Sequence, residues 1–89
     1  MVNALCRIHQ HIKWVSTPDG GVLLDPYQGI YFSVNPVGAT IVEDLLSGIP
    51  SDQIIGHILE RYPVEEGRAR DDYANFITLL KTKQLCEVV

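Results

Sequence analysis

The stretch that decides the fold is Leu24–Ala39, which reads LDPYQGIYFSVNPVGA. It opens with a tight reversal at residues 25–29, DPYQG, because proline presets φ and glycine accepts a positive φ. A β-rich run follows at residues 30–34, IYFSV, and Asn35-Pro36 ends it. The chain before this stretch has strand patterning and the chain after it has helical patterning, so the stretch joins a sheet to a set of helices.

Towards the N-terminus the sequence predicts two more strands. Residues 9–17 alternate in the manner of a strand, with apolar side chains recurring on one face. Residues 18–21, PDGG, have the composition of a tight turn, and residues 22–24 resume as a short strand. With residues 30–34 as the last member, we expect a three-stranded antiparallel meander.

The third strand of this meander has a candidate edge. Ile30, Phe32 and Val34 share one face, which we take as the core face, and Tyr31 and Ser33 share the other. The strand carries neither charge nor proline, the features that commonly protect an exposed edge. A helix covering this edge and an extended peptide pairing with it both remain open at this point. We expect a proline at Phe32 to remove a strand donor and to abolish binding of such a peptide.

Towards the C-terminus the pattern predicts three helices. The first is capped by Asn35, with Pro36 at its first position, and ends at Ser47-Gly48. The second is capped by Ser51 and closed by Pro63, and the third begins between 64 and 67 and ends near Lys83. The residues expected on their buried faces are Ile41, Leu45, Ile54, Ile55, Ile58, Leu59, Tyr62, Ala69, Tyr73, Phe76, Ile77 and Leu80, with Val42 and Leu46 partly buried. Leu85 and Val88 are expected to fold back as a short tail.

The fold class is therefore α+β, a three-stranded antiparallel sheet followed by three helices in a winged helix-turn-helix-like arrangement. At 89 residues the chain is expected to form a single domain over 1–89. Seven Lys and Arg against eleven Asp and Glu give a formal net charge of -4. This balance disfavours nucleic acid and anionic membranes as partners, and without a membrane-length apolar run we expect a cytoplasmic protein.

Catalytic and metal-binding motifs are not evident. His9 and His11 would share a strand face, yet no third ligand is apparent for a metal. Asp71-Asp72 are neighbours on a helix and project about 100° apart, so they do not form a paired-carboxylate site. Two free thiols in a reducing compartment are favoured for Cys6 and Cys86 over one disulfide between the termini. We expect no enzyme activity, no cofactor and no metal.

Two segments carry a family resemblance. GGVLLDPYQGIYFSVNPVGATIVEDLLSG (Gly20 to Gly48) and SDQIIGHILERYPVEEGRARDDYANFITLLKTKQL (Ser51 to Leu85) resemble the PqqD-like family. These are the recognition elements of pathways that make ribosomally produced and post-translationally modified peptides. A free-standing chain of this size is most similar to the leader-binding protein of lasso-peptide biosynthesis. The peptide chaperone of pyrroloquinoline quinone biosynthesis, which delivers its precursor to a radical SAM enzyme, is the alternative within the family, and a winged-helix DNA-binding protein is the alternative of another class.

The resemblance implies a site and a set of partners. A precursor's leader peptide would bind as a fourth strand beside the third strand, in a groove walled by the third helix. The protein would then present the precursor to a separate leader peptidase and to a cyclase. Asp71 or Asp72 would pair with a basic leader residue. The residues to which the resemblance points for leader binding are Gly29, Ile30, Tyr31, Phe32, Ser33, Val34, Asp72, Tyr73, Phe76, Leu79, Leu80 and Lys83.

Overall fold

The computed structural model describes residues 6–88. Its strands are β1 (Cys6–Ile8), β2 (Lys13–Thr17), β3 (Gly20–Asp25), β4 (Ile30–Val34) and β5 (Cys86–Val88), and its helices are α1 (Pro36–Leu46), α2 (Ser51–Arg61) and α3 (Glu66–Thr82). Strands β2, β3 and β4 form an antiparallel sheet in that order, and β1 pairs with β5 in a separate two-stranded sheet. The predicted class, a three-stranded antiparallel sheet followed by three helices, is confirmed.

The two-stranded sheet corrects the prediction at both ends of the chain. The strand predicted for residues 9–17 begins only at Lys13, because the residues before it form a tight turn in which the Ile12 N–H donates to the His9 carbonyl at 3.1 Å. The tail expected after α3 is a strand, in which Cys86 lies opposite Ile8. Strands of three residues are too short to show a period, and their pairing joins distant parts of the chain.

In the three-stranded sheet, one face is apolar and turned inward. Trp14, Leu23 and Phe32 lie side by side across β2, β3 and β4, as the register requires. Leu23 is completely buried there. The opposite face has no element of residues 6–88 packed over it as a second layer, and Tyr31 on that face is 71% exposed.

Helix α1 begins where the sequence predicts. The Asn35 Oδ1 accepts the Gly38 N–H at 2.8 Å, and a proline occupies the first turn. Its buried face is wider than expected, since Val42 is fully buried, whereas Leu46 is 50% exposed. The prediction that both are partly buried was wrong, because α1 packs against β1, β3 and α2 at once, which encloses Val42 completely and leaves Leu46 open to solvent.

Helices α2 and α3 differ from the prediction in small ways. Pro50, not Ser51, is the N-cap of α2, and Ser51 is the first residue of the helix. The N-terminus of α2 has no side-chain capping hydrogen bond. The three isoleucines of α2 are buried, while Leu59 and Tyr62 are half-buried. Helix α3 begins at Glu66, within the predicted window, and ends one residue before the predicted Lys83.

The core consists of two apolar clusters that meet. One joins both sheets to α1 and to the end of α3, and the other lies among the three helices. Leu45, Phe76 and Ile77 pack against both clusters, so the sheets and helices share one interior. Over residues 6–88, no helix combines the length and the apolar character needed to cross a bilayer.

Candidate functional site

The larger sheet has two edge strands, β2 and β4, and the register shows which backbone groups β4 offers at its free edge. Thr17 and Gly20 flank a two-residue turn, so they form the hydrogen-bonded pair that closes the first hairpin. Hydrogen bonds in an antiparallel ladder alternate between the two sides of a strand. The residues of β3 that bond towards β4 are therefore Gly21, Leu23 and Asp25.

Two residues of β4 are left with their backbone groups facing outward. The partners of β3 are Ile30, Phe32 and Val34, so the N–H and C=O groups of Tyr31 and Ser33 point towards the free edge. A spacing of two residues is the repeat with which a further strand can pair. The expectation for proline at Phe32 is corrected by this register, because the Phe32 N–H faces β3 and not the edge.

The turn that precedes β4 is held by a buried carboxylate. Asp25 is 2% exposed, and its carboxylate accepts the backbone N–H groups of Tyr27 at 2.9 Å and Gln28 at 3.2 Å. The Gln28 side-chain amide donates to the same carboxylate and, at 3.2 Å, to the Lys83 carbonyl. The side-chain hydrogen bond from Gln28 is the largest cause of the lowered pKa of Asp25, and His11 also contributes. The turn is thus tied to the end of α3.

A cleft of about 410 Å³ lies between α1 and α3, next to the end of β4. Its rim is polar, since Arg68 Nε lies 3.4 Å from Asp72 Oδ1 and both residues line the opening. Its interior is largely apolar, which suits an aliphatic or aromatic side chain. The lining residues are Asn35, Val37, Gly38, Ile41, Val64, Arg68, Asp72, Asn75, Phe76 and Leu79.

Gly38 sets the distance between the walls of this cleft. A Cβ at this position would overlap Cγ1 of Val34 and would lie 3.1 Å from Cε1 of Phe76. Glycine therefore allows the first turn of α1 to lie directly against β4 and α3.

Three of the residues predicted on α3 line the cleft, namely Asp72, Phe76 and Leu79. The Phe76 ring also packs on Phe32 of β4, with ring centroids 6.4 Å apart, and so connects the cleft to the sheet. Asp71 is exposed and does not line the cleft.

The other three predicted residues of α3 lie elsewhere. Leu80 is completely buried in the core and offers no surface to a bound peptide, because it belongs to the apolar stripe of α3 that packs against the sheets. Tyr73 is half-buried in the helical cluster, and burial raises its pKa. Lys83 follows α3 and holds its ammonium group 5.5 Å from the centre of the Phe32 ring.

The α1 wall of the cleft was missed by the sequence analysis. Val37 and Ile41 have the pattern of ordinary core residues, and Val64 precedes α3 in a connecting segment. Gly38 was the available signal, since a glycine in the first turn of a helix has no conformational role there and indicates a close approach of another element.

The two neighbouring histidines lie in the turn between β1 and β2 instead of on a strand. Their rings are stacked with centroids 5.5 Å apart, and His11 also stacks on Tyr27 at 4.1 Å. His11 Nε2 lies 3.4 Å from Asp25 Oδ1. In the part of the chain from 6 to 88, groups of three or more His, Cys, Asp or Glu that could hold a metal ion do not occur.

The fold and the site define a small α+β domain with an open sheet edge beside a cleft between two helices. The family model of coenzyme PQQ synthesis protein D (PqqD) matches residues 20–85, and the chain belongs to this family. The predicted family resemblance is thereby confirmed. A comparison with curated protein sequences finds no match.

Two solved structures are similar to this chain over nearly its whole length. One is described as lasso peptide synthetase B1 complexed with the leader peptide; it is 32% identical with a TM-score of 0.83, and the match covers 94% of this chain and 99% of that one. The other is TbiB1 in complex with the TbiA(beta) leader peptide, at 28% identity and a TM-score of 0.83, over 91% and 94% of the two chains.

Proposed function

We propose that this protein binds the leader region of a ribosomally made precursor peptide, as a non-catalytic recognition component of lasso-peptide biosynthesis. The observation that carries the proposal is the free edge of β4 at Tyr31 and Ser33, beside the cleft between α1 and α3. Both similar solved structures are described as complexes with leader peptides, which supports the same role here. They also favour a lasso pathway over the synthesis of coenzyme PQQ.

Binding would begin with strand addition. Each peptide residue opposite Tyr31 or Ser33 gains backbone hydrogen bonds, worth about 1 kcal/mol each. These bonds are independent of the peptide sequence, so they supply affinity without selecting one leader over another. Recognition of a particular leader sequence therefore depends on the side chains of the peptide.

Selection among leaders would come from the cleft. An apolar side chain buried there contributes about 1.5–3 kcal/mol, which is comparable with the backbone bonds. Phe76 contacts both the sheet and the cleft, so a peptide strand on β4 that continues past Asn35 would run directly over the opening. Alternate residues of such a peptide face inward, and these are the ones expected to be apolar.

Two charged groups flank the path of the peptide. Lys83 lies near the start of β4, above Phe32, and Asp72 lies at the rim of the cleft, already paired with Arg68. An acidic leader residue near Lys83 and a basic one near Asp72 would complement them. Since these charges are partly or fully exposed, each pair would add about 1 kcal/mol or less and would weaken with salt.

We infer that separate proteins carry out the chemistry, a leader peptidase followed by a cyclase. The side chains best suited to nucleophilic or acid-base catalysis lie away from the free edge of β4. Cys6 and Cys86 belong to β1 and β5, and His57 Nδ1 lies 2.6 Å from the Asp44 carboxylate between α1 and α2. This supports a protein that holds the precursor for other enzymes.

Fluorescence polarisation tests the proposal. The probe is a labelled synthetic leader peptide of the precursor encoded beside the gene for this chain, and a scrambled peptide is the control. Saturable binding at tens of micromolar or tighter is expected for the leader alone. A sample that circular dichroism shows to be folded, yet that fails to bind the leader, contradicts the proposal. Binding to duplex DNA with a steep salt dependence would instead indicate a nucleic-acid-binding protein.

A further inference from the structure

The pairing of β1 with β5 brings two cysteines from opposite ends of the chain to one buried face. Cys86 lies directly opposite Ile8, and Cys6 lies two residues before Ile8 on the same strand. Residues two apart on a strand share a face, and so do residues opposite each other. Cys6 and Cys86 are accordingly 6% and 7% exposed and belong to the same apolar cluster.

We propose that Cys6 and Cys86 form a dithiol site, which low-molecular-weight disulfides such as oxidised glutathione convert into an intramolecular disulfide joining the two ends of the domain. The proposal is independent of leader binding, because it concerns the face of β1 and β5 and not β4. Its chemistry requires only the two thiols and the named oxidant.

The two thiols are neighbours on this buried face. Each is close enough to shift the pKa of the other. Diagonal neighbours in a ladder have Cα atoms about 7–8 Å apart, slightly beyond the distance of up to about 6.8 Å that disulfides usually span. Closing the bond therefore needs a backbone shift of about 1 Å, and this shift falls on two strands that each pair with one other strand within residues 6–88.

The two thiols differ in reactivity, which gives the reaction an order. The neighbouring Cys6 thiol lowers the pKa of Cys86, and the positive charge of Lys81 favours the thiolate form of both cysteines. The same proximity raises the pKa of Cys6, and burial adds to the effect. Cys86 is therefore the first nucleophile. Once its sulfur is in a mixed disulfide it carries no charge, and the main obstacle to deprotonating Cys6 is removed.

The steps balance as two thiol–disulfide exchanges. The Cys86 thiolate attacks one sulfur of oxidised glutathione, forms a mixed disulfide and releases one glutathione thiolate, which takes up the proton lost by Cys86. The Cys6 thiolate then attacks the Cys86 sulfur, closes the ring and releases the second glutathione thiolate, which takes the proton lost by Cys6. The protein is oxidised by two electrons, and one glutathione disulfide is reduced to two glutathiones.

Access to these buried thiols is provided by fraying of the small sheet. It consists of three residue pairs, and the His9 N–H donates to the Leu85 carbonyl at 3.1 Å where the next pair of the ladder would lie. Opening this pairing breaks the contacts of β1 with α1 and of β5 with α3, and such local opening costs less free energy than unfolding of the whole domain. The reaction is therefore expected under native conditions.

Intact-mass measurement of the native protein in a glutathione redox buffer tests the proposal. The wild type is expected to lose two hydrogens, to remain monomeric and to become resistant to thiol alkylation. Cys6→Ser is expected to stop at one bound glutathione, and Cys86→Ser is expected to react at least tenfold more slowly than the wild type. A wild type that stays fully reduced, or that forms only disulfide-linked dimers, overturns the proposal.

Thermal unfolding of the wild type alone provides a second test that does not depend on the folding of either variant. The disulfide would close a ring around almost the whole chain, so the oxidised monomer is expected to unfold about 10 °C higher than the reduced one. Reduction with dithiothreitol should reverse the shift. An oxidised monomer whose transition is unchanged or lower contradicts the native geometry on which the proposal depends.

Discussion

Asp25 is the residue on which the geometry of the edge depends most directly. Its carboxylate collects hydrogen bonds from the turn before β4, and the Gln28 amide passes the connection on to Lys83. Because these bonds favour the ionised form, the pKa of Asp25 is lower in the folded state than in the unfolded state. The carboxylate thus stabilises the fold above the unfolded-state pKa, and this contribution is lost as the pH falls through the folded-state pKa.

Asp25→Asn is therefore expected to lower the unfolding temperature most at neutral pH. The difference from the wild type should shrink as the pH is lowered below about 4, where Asp25 becomes protonated in both states. Thermal unfolding measured at a series of pH values checks this. Asp19→Asn, in the exposed turn between β2 and β3, is the matched control and should change little. A constant difference between pH 3 and 7 would refute the role assigned to the carboxylate.

Leu79 and Leu80 are adjacent on α3 and are expected to separate binding from stability. Leu79 is 37% exposed and lines the cleft, while Leu80 is completely buried. Leu80→Ala should cost about 2–5 kcal/mol in the free energy of unfolding. Leu79→Ala should cost about 1 kcal/mol or less but should weaken leader binding about tenfold. Urea unfolding measures the stability of each variant, and fluorescence polarisation measures its leader affinity. If Leu79→Ala and Leu80→Ala lose the same affinity per folded molecule, then Leu79 is not a specific contact of the leader.

At the scale of elements, the alternation of hydrogen bonds along β4 leads to a sharp prediction. Ser33→Pro removes an N–H that faces the free edge, and proline is tolerated on that side of an edge strand. Leader affinity is expected to fall at least tenfold while the domain stays folded. Phe32→Pro removes an N–H that bonds to β3 and should cost about 1–3 kcal/mol of stability, because a carbonyl of β3 loses its hydrogen bond. Ser33→Ala, which keeps the N–H, is the control.

One experiment distinguishes a loss of leader binding from a loss of folding in these variants. Circular dichroism and fluorescence polarisation are recorded for the three variants in parallel. If Ser33→Pro binds the leader as well as Ser33→Ala does, the peptide does not add to β4.

The elements of the larger sheet and the helices could be predicted because their signals are local. The turn at 25–29, the Asn35 cap and the positive φ of Gly48 depend on residues close in sequence, and all three are observed. The pairing of β1 with β5 could not be predicted, since each strand has three residues and their pairing joins distant parts of the chain. The start of β2 was misplaced for a related reason, because an alternating pattern does not reveal a turn at its beginning.

At the scale of the whole molecule, Gly38 is where the sheet, α1 and α3 meet. Alanine favours a helix over glycine by about 1 kcal/mol, yet a Cβ here would overlap Val34 and press on Phe76. We expect Gly38→Ala to destabilise the protein by about 1–3 kcal/mol net of that gain and to weaken leader binding by moving α1.

Gly56→Ala is the matched control for this prediction. Gly56 lies in the middle of α2, and a Cβ there would have no atom within 4 Å. This variant should gain about 0.5–1 kcal/mol of stability from helix propensity alone. Urea unfolding of both variants measures the difference. If Gly38→Ala is as stable as Gly56→Ala, then the contact of α1 with β4 and α3 does not require glycine.

The candidate site was predicted in part for the same physical reason. The edge at Ile30–Val34 follows from composition, because a strand without charge or proline lacks the usual protection. The α3 residues that line the cleft were harder to predict, since the apolar stripe of a helix does not show which residues beside it face a neighbouring element. Leu80 was placed at the cleft and is in the core, while the contribution of α1 was not foreseen.

The stretch Leu24–Ala39 by itself determined the turn, the third strand of the meander and the start of α1, because caps, turns and alternation act over a few residues. The tertiary structure decided which backbone groups of β4 are free, how α1 and α3 form a cleft, and that Cys6 and Cys86 lie on the same buried face. These features depend on strand register and on the packing of distant elements, and both are determined by many weak contacts between residues far apart in the chain. A single stretch of sequence contains too few of these contacts to predict them.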